Sequence, residues 1–123
     1  MKTYLLAIGI LLAAFAGSAP VQGQGKPATL TVIAKLKAKP GMEARVKAEL
    51  TKLLAPTRKE KGCLNYDMHQ SLSDKALFLF HENWESEEHL KAHLDSPHIR
   101  AWFNLSKELL AEPIEITRWR KAD

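Results

Sequence analysis

The stretch Leu77–Phe103, LFLFHENWESEEHLKAHLDSPHIRAWF, holds a strand, two helix starts and most of the side chains able to do chemistry. Side chains on a pleated strand point alternately to its two sides. Leu77, Leu79, His81 and Asn83 therefore share one face, and Phe78, Phe80, Glu82 and Trp84 the other. Both faces begin apolar and end polar. A strand wetted on one side reads as clean alternation, so this one is expected to lie between a helix layer and a second sheet. One small domain does not easily supply both covers, which points to a second copy of the chain.

After Trp84 the period changes from two to that of a helix. Ser86 is placed as an N-cap, with Glu87 and Glu88 in the first turn, where negative charge suits the helix end. Leu90 and Leu94 give that helix a short apolar stripe. Ser96 caps a further helix whose first position is Pro97, where no N–H is needed. Ile99, Trp102, Phe103, Ser106 and Leu110 then recur at helical spacing until Pro113.

Working outward, Thr29 to Ala38 alternates, with Leu30, Val32, Ala34 and Leu36 on one face, and reads as the first strand. Pro40 and Gly41 end it. Met42, Val46, Leu50, Leu53 and Leu54 form an amphipathic stripe that predicts a helix over roughly 43–59, with Pro56 loosening its last turn and Gly62 stopping it. The basic residues Arg58, Lys59 and Lys61 suit the negative end of that helix. Leu64, Tyr66 and Met68 alternate in a second strand, and Ser73, Asp74 and Lys75 turn it into the third, forming a hairpin. A last strand is expected over 114–120. The order is an α+β one, a ferredoxin-like antiparallel sheet with its helices on one face. Burying a Leu or Phe side chain is worth roughly 1.5 to 3 kcal/mol, so the other face is expected to pack sheet on sheet in a homodimer, a barrel-like pair.

Ahead of this domain, spanning 29–120, Lys2 is followed by an apolar run from Tyr4 to Ala16 and then by small and polar residues. The run is shorter than the roughly 20 residues a permanent span needs, so residues 1–24 read as a cleaved signal peptide. The mature chain is then expected to be periplasmic or secreted, with no stable membrane anchor. The full sequence's 18 basic and 14 acidic residues are spread along the chain without an Arg-rich run, which argues against nucleic acid binding. Cys63 is the single cysteine, so no internal disulfide forms, and with no activating base nearby it reads as a small hydrophobe.

The candidate chemistry centres on His81, His93 and His98, since imidazole titrates near neutrality, and on Glu82, a carboxyl set in an apolar strand. Trp84, Tyr66 and Phe80 can stack on an aromatic ring. Glu85, His89 and His93 stand four residues apart on a helix, a spacing able to chelate, yet no further ligands present themselves, and no metal is expected.

Lys39-Pro40-Gly41, Gly62-Cys63-Leu64, Glu82–Ser86 (ENWES) and His93–His98 (HLDSPH), in this order and spacing, resemble the antibiotic biosynthesis monooxygenase domain family over roughly Leu30 to Trp119. The resemblance implies a dimeric α+β barrel with a pocket between helices and sheet in each subunit. It also implies cofactor-independent oxygenation of quinols or phenols by O₂, although the family includes haem-degrading enzymes, an isomerase and members with no known reaction. The haem-degrading branch uses an Asn, a Trp and a His where this chain has Ala34, His93 and Phe103. The polyketide branch shares the tryptophan matching Trp84 but has an Asn and an Arg where Phe80 and Asn104 stand here. The expected function is therefore oxidation of a quinol-like or phenolic small molecule with O₂. His93, Glu82 and His98 would be catalytic and Trp84, Tyr66, Phe80 and His81 would line the substrate site, with no cofactor. A non-catalytic small-molecule binding module, or an isomerase of a small carbonyl compound, are the alternatives.

Overall fold

The computed structural model describes residues 29–123. The leader expected over 1–24 lies outside them. Seven elements follow in order: β1 (Leu30–Lys37), α1 (Glu43–Arg58), β2 (Cys63–Gln70), β3 (Leu77–Trp84), α2 (Glu87–Leu94), α3 (Pro97–Leu109) and β4 (Glu115–Arg120). The strands form one antiparallel sheet in the order β2-β3-β1-β4, the ferredoxin-like arrangement the element order predicts. Among the described residues no helix is long and apolar enough to cross a membrane.

The alternation of β1 and β3 decides where the core sits. Leu30, Val32, Ala34 and Leu36 pair with Trp84, Glu82, Phe80 and Phe78 in register, and all eight are buried beneath the helices. Above them lie Val46, Leu50, Leu53 and Thr57 of α1 and Ile99, Trp102, Ser106 and Leu109 of α3. The caps are those the sequence specifies in one case and not in the other. Ser86 Oγ accepts the His89 N–H, whereas Ser96 turns its hydroxyl back to donate to the His93 carbonyl at 2.6 Å. That hydroxyl ties the end of α2 to the start of α3.

One expectation is corrected by the packing, and another holds. β3 sends both its phenylalanines under the helices, and its rear face carries Leu77, Leu79, His81 and Asn83, all half-buried. Ile33, Trp119, Lys35, Lys37 and His69 lie alongside, so the leucines of that face stand among polar and charged neighbours. In β2 the register shifts between Cys63 and Asn65. This irregularity places Cys63 opposite Trp84 and against the core, and Leu64, expected inside with Tyr66 and Met68, is half exposed.

Candidate active site

Glu82 owes its position to the pleat. It lies between Val32 of β1 and Tyr66 of β2 on the helix-covered face, and is 4% exposed. Two residues on, and on the same face, Trp84 donates its indole N–H to Glu82 Oε2 at 2.8 Å. Burial pushes the carboxyl up to about 7; the Trp84 hydrogen bond opposes this and the charge of Glu60 adds to it. The group is thus poised between acid and base at neutral pH.

His93 projects from α2 into the same region and is 3% exposed. Its ring lies 4.6 Å from that of Trp84 and 5.4 Å from that of Tyr66, which in turn stacks on Phe80 at 4.6 Å. Burial is the largest influence on the imidazole and lowers its pKa, although Glu60 pulls the other way. His93 Nδ1 is 2.7 Å from Glu60 Oε2. An ionised carboxylate only accepts, so the neutral ring carries its proton on Nδ1 and donates it to Glu60. The lone pair is left on Nε2, where a base needs it.

The second oxygen of Glu60 meets another histidine. Oε1 lies 2.8 Å from His98 Nε2, but the approach is not aligned for a hydrogen bond, and Oε1 is buried without a hydrogen-bond partner. His98 Nε2 is instead within 3.2 Å of Thr57 Oγ1 and 3.3 Å of Ser96 Oγ.

Glu82 and His93 line a void of about 30 Å³ whose walls include Tyr66, Phe80, Trp102 and Phe103. A void of this size holds one or two waters and no aromatic ring. Beside it runs an open groove of about 550 Å³, and Phe103, Ile114 and Ile116 border both spaces.

The sequence pattern of the family described as "Antibiotic biosynthesis monooxygenase" matches residues 29–105. The chain belongs to the antibiotic biosynthesis monooxygenase family. Among its relatives, the Escherichia coli (strain K12) protein named "Probable quinol monooxygenase YgiN" is 34% identical over 84 residues, covering 59% of this chain and 80% of that one. The Mycobacterium tuberculosis protein Rv0793 is 34% identical over 88 residues, covering 72% of this chain and 86% of that one, and its structure superposes with a TM-score of 0.73. A Pseudomonas aeruginosa protein of known structure gives 0.76 at 33% identity, over 80% of this chain and 98% of that chain.

In this member of the family the residues singled out in the sequence are sorted by the sheet. His93, Glu82, Tyr66 and Phe80 line one void. Trp84, fully buried, lies behind it and touches both Glu82 and His93. His98 stands on the far side of Glu60, 6.3 Å ring to ring from His93. His81 is not brought to the void. It is on the opposite face of β3 from Glu82, beside Asn65, because neighbouring strand residues point to opposite sides. His89 bonds to Ser86 at 2.7 Å and does not join His93 in a cluster. The partners His93 does have, Glu60 and His98, include one that the sequence reading passed over. Glu60 lies in the charged run Arg58-Lys59-Glu60-Lys61, and nothing in that run marks which member turns inward.

Proposed function

We propose that the protein is an exported, cofactor-independent monooxygenase that oxidises a quinol-like or phenolic small molecule with O₂. One observation carries the reading. A neutral imidazole with its Nδ1 fixed by a carboxylate, and a second carboxyl held near neutrality, line one aromatic-walled void. The name of the Escherichia coli relative supports the substrate class.

The steps follow from the geometry. His93 Nε2 takes the phenolic proton, and Glu60 stabilises the imidazolium that forms. The phenolate passes one electron to O₂, and the resulting radical pair combines as a ring hydroperoxide. Loss of water then leaves a hydroxyquinone, so that quinol and O₂ yield hydroxyquinone and H₂O. Glu82, close to half protonated at neutral pH, donates a proton to the departing oxygen. Tyr66 and Phe80 stack against the ring. The void admits a ring only when Phe103, Ile114 and Ile116 give way toward the groove, which serves as the entrance.

The working unit in this reading is a homodimer joined across the rear of the sheet. Ile33, Leu77, Leu79 and the 58% exposed Trp119 supply its apolar contacts. Light scattering on the chain lacking residues 1–24 checks this, and a monomer there would remove it.

An oxygen electrode tests the function. Purified protein added to a panel of hydroquinones and phenols is expected to consume O₂ faster than autoxidation, and His93→Ala to abolish the excess. Equal rates with and without protein across the panel would overturn the reading, and turnover without O₂ would replace it with an isomerase.

A further inference from the structure

We propose that Glu60, His93 and His98 form a binding site for one divalent transition-metal ion. Each offers a ligand atom, and these atoms lie within 4.8 Å of one another. The closest approaches are 2.7 Å between Glu60 Oε2 and His93 Nδ1 and 2.8 Å between Glu60 Oε1 and His98 Nε2. Ligands about 2.1 Å from an ion and at right angles to each other stand about 3.0 Å apart, against about 3.4 Å in a tetrahedron. Each imidazole nitrogen and the carboxylate oxygen it faces therefore need to part by only a few tenths of an ångström to reach octahedral spacing, and the ligand atoms of all three residues lie within 4.8 Å of one another.

The chemistry of the set chooses the kind of ion. Two imidazoles and one carboxylate suit zinc, nickel, cobalt or iron, and fit calcium or magnesium poorly, since those take oxygen ligands. A second observation points to a ligand in the same place. Glu60 Oε1 is buried without a hydrogen-bond partner although an imidazole nitrogen lies 2.8 Å away. A carboxylate oxygen and an imidazole nitrogen this close, with no aligned hydrogen bond between them, are a pair that one shared cation would satisfy.

The frame is firm and the approach is open. Glu60 comes from the α1–β2 connection, His93 from α2 and His98 from the first turn of α3. The Ser96 hydroxyl clasps the joint between the two helices, and the Thr57 and Ser96 hydroxyls lie beside the His98 ring. His93 is sealed, but the Glu60 and His98 side chains, 18% and 23% exposed, make a rim through which an ion arrives without crossing the void.

Binding here has a consequence that rests on the monooxygenase reading. An ion on His93 Nδ1 takes the place of the proton shared with Glu60, so the ring proton moves to Nε2 and the base is lost. The ion would then inhibit O₂ uptake.

Chelator-treated protein titrated with Co²⁺ or Zn²⁺ at pH 7.5 tests the site by calorimetry and by the Co²⁺ visible spectrum. One ion per chain is expected to bind, with Mg²⁺ failing to compete. Glu60→Gln and His98→Ala are each expected to weaken binding at least tenfold, and His89→Ala to leave it unchanged. Proton NMR of the wild type with diamagnetic Zn²⁺ is expected to shift ring resonances of His93 and His98 and not those of His81, which decides the matter even if a variant fails to fold. No saturable binding, or binding indifferent to both Glu60→Gln and His98→Ala, or shifts at other histidines, would overturn the proposal. Tight binding at these residues without inhibition of O₂ uptake would uphold the site and count against His93 as the base.

Discussion

Trp84 and Glu82 face the same way from β3 and meet through a 2.8 Å hydrogen bond from indole N–H to carboxyl oxygen. The bond does two things at once. It satisfies the polar tip of a fully buried tryptophan, and it gives a carboxyl in an apolar strand a partner in either protonation state.

The pH dependence of stability follows from that carboxyl. Unfolded, Glu82 ionises near its ordinary value of 4.5, while in the fold it holds its proton to about 7. Between these values the folded state binds more protons, so stability falls as pH rises from about 4.5 to 7, and levels off above. The drop amounts to about 3 kcal/mol. Urea denaturation from pH 4.5 to 8 is expected to show it in the wild type and to lose it in Glu82→Gln. Parallel curves would mean that the carboxyl ionises as in water.

For catalysis, the pairing of Glu60 with His93 sets an order of effects. His93→Ala is expected to lower kcat/KM by about 10²- to 10⁴-fold, the usual worth of a placed general base. Glu60→Ala, which frees the ring without removing it, is expected to cost less and to act on kcat rather than KM. Steady-state O₂ uptake separates the two, and a larger loss for Glu60 than for His93 would reverse their roles.

The two glycines with positive φ provide a stability test with an internal control. Gly41 (φ 83°) has nothing within 4 Å of an added Cβ, whereas at Gly62 (φ 81°) that atom would fall 2.2 Å from the His89 ring and 2.6 Å from His89 Cβ. Gly41→Ala is expected to cost about 1 to 2 kcal/mol of left-handed backbone strain. Gly62→Ala should cost clearly more, and His89→Ala should fail to rescue it, because the clash with Cβ remains. Thermal melts of the three variants check this, and equal losses at the two glycines would show that the loop yields.

Phe103 lies between the inner void and the outer groove. Phe103→Ala is expected to join the two spaces and let bulkier phenols be oxidised, at a stability cost of about 1 to 3 kcal/mol for a half-buried ring. The substrate range in the electrode assay is the measure, and an unchanged range would place the entrance elsewhere.

Cys63 is expected to be inert. Burial first, then the charges of Glu60 and Glu82, push its thiol from 9.0 up to about 11, a roughly 100-fold smaller thiolate fraction at neutral pH. Alkylation at pH 7.5 followed by mass spectrometry is expected to be far slower than for a free thiol, and a matching rate would show the strand end to be open.

Much of this molecule could be read along the chain because its signals are local. Alternation in Leu30–Leu36 and Phe78–Trp84, the Pro40-Gly41 break and the Ser86 cap act within a few residues and place most elements to within a residue or two, whereas α3 ends at Leu109, short of Pro113, because Leu110 turns extended to pair with Ala38. Glu82 could be singled out because a carboxyl amid Phe78, Phe80 and Trp84 has no cheap explanation. Glu60 could not, since its meeting with His93 spans 33 residues and depends on how α2 lies beside the α1–β2 connection. His81 does not share the void with Glu82 for a simpler reason: adjacency in sequence means opposite sides in a sheet. The displacement of Leu64 by Cys63 depends on a strand irregularity that alternation does not encode.

Phe103, Ile114 and Ile116 line both the inner void and the outer groove. If the void is the proposed reaction site, these three side chains set its doorway, and rotamer exchange, far faster than any unfolding or hinging of the fold, would govern which ring-shaped guests pass.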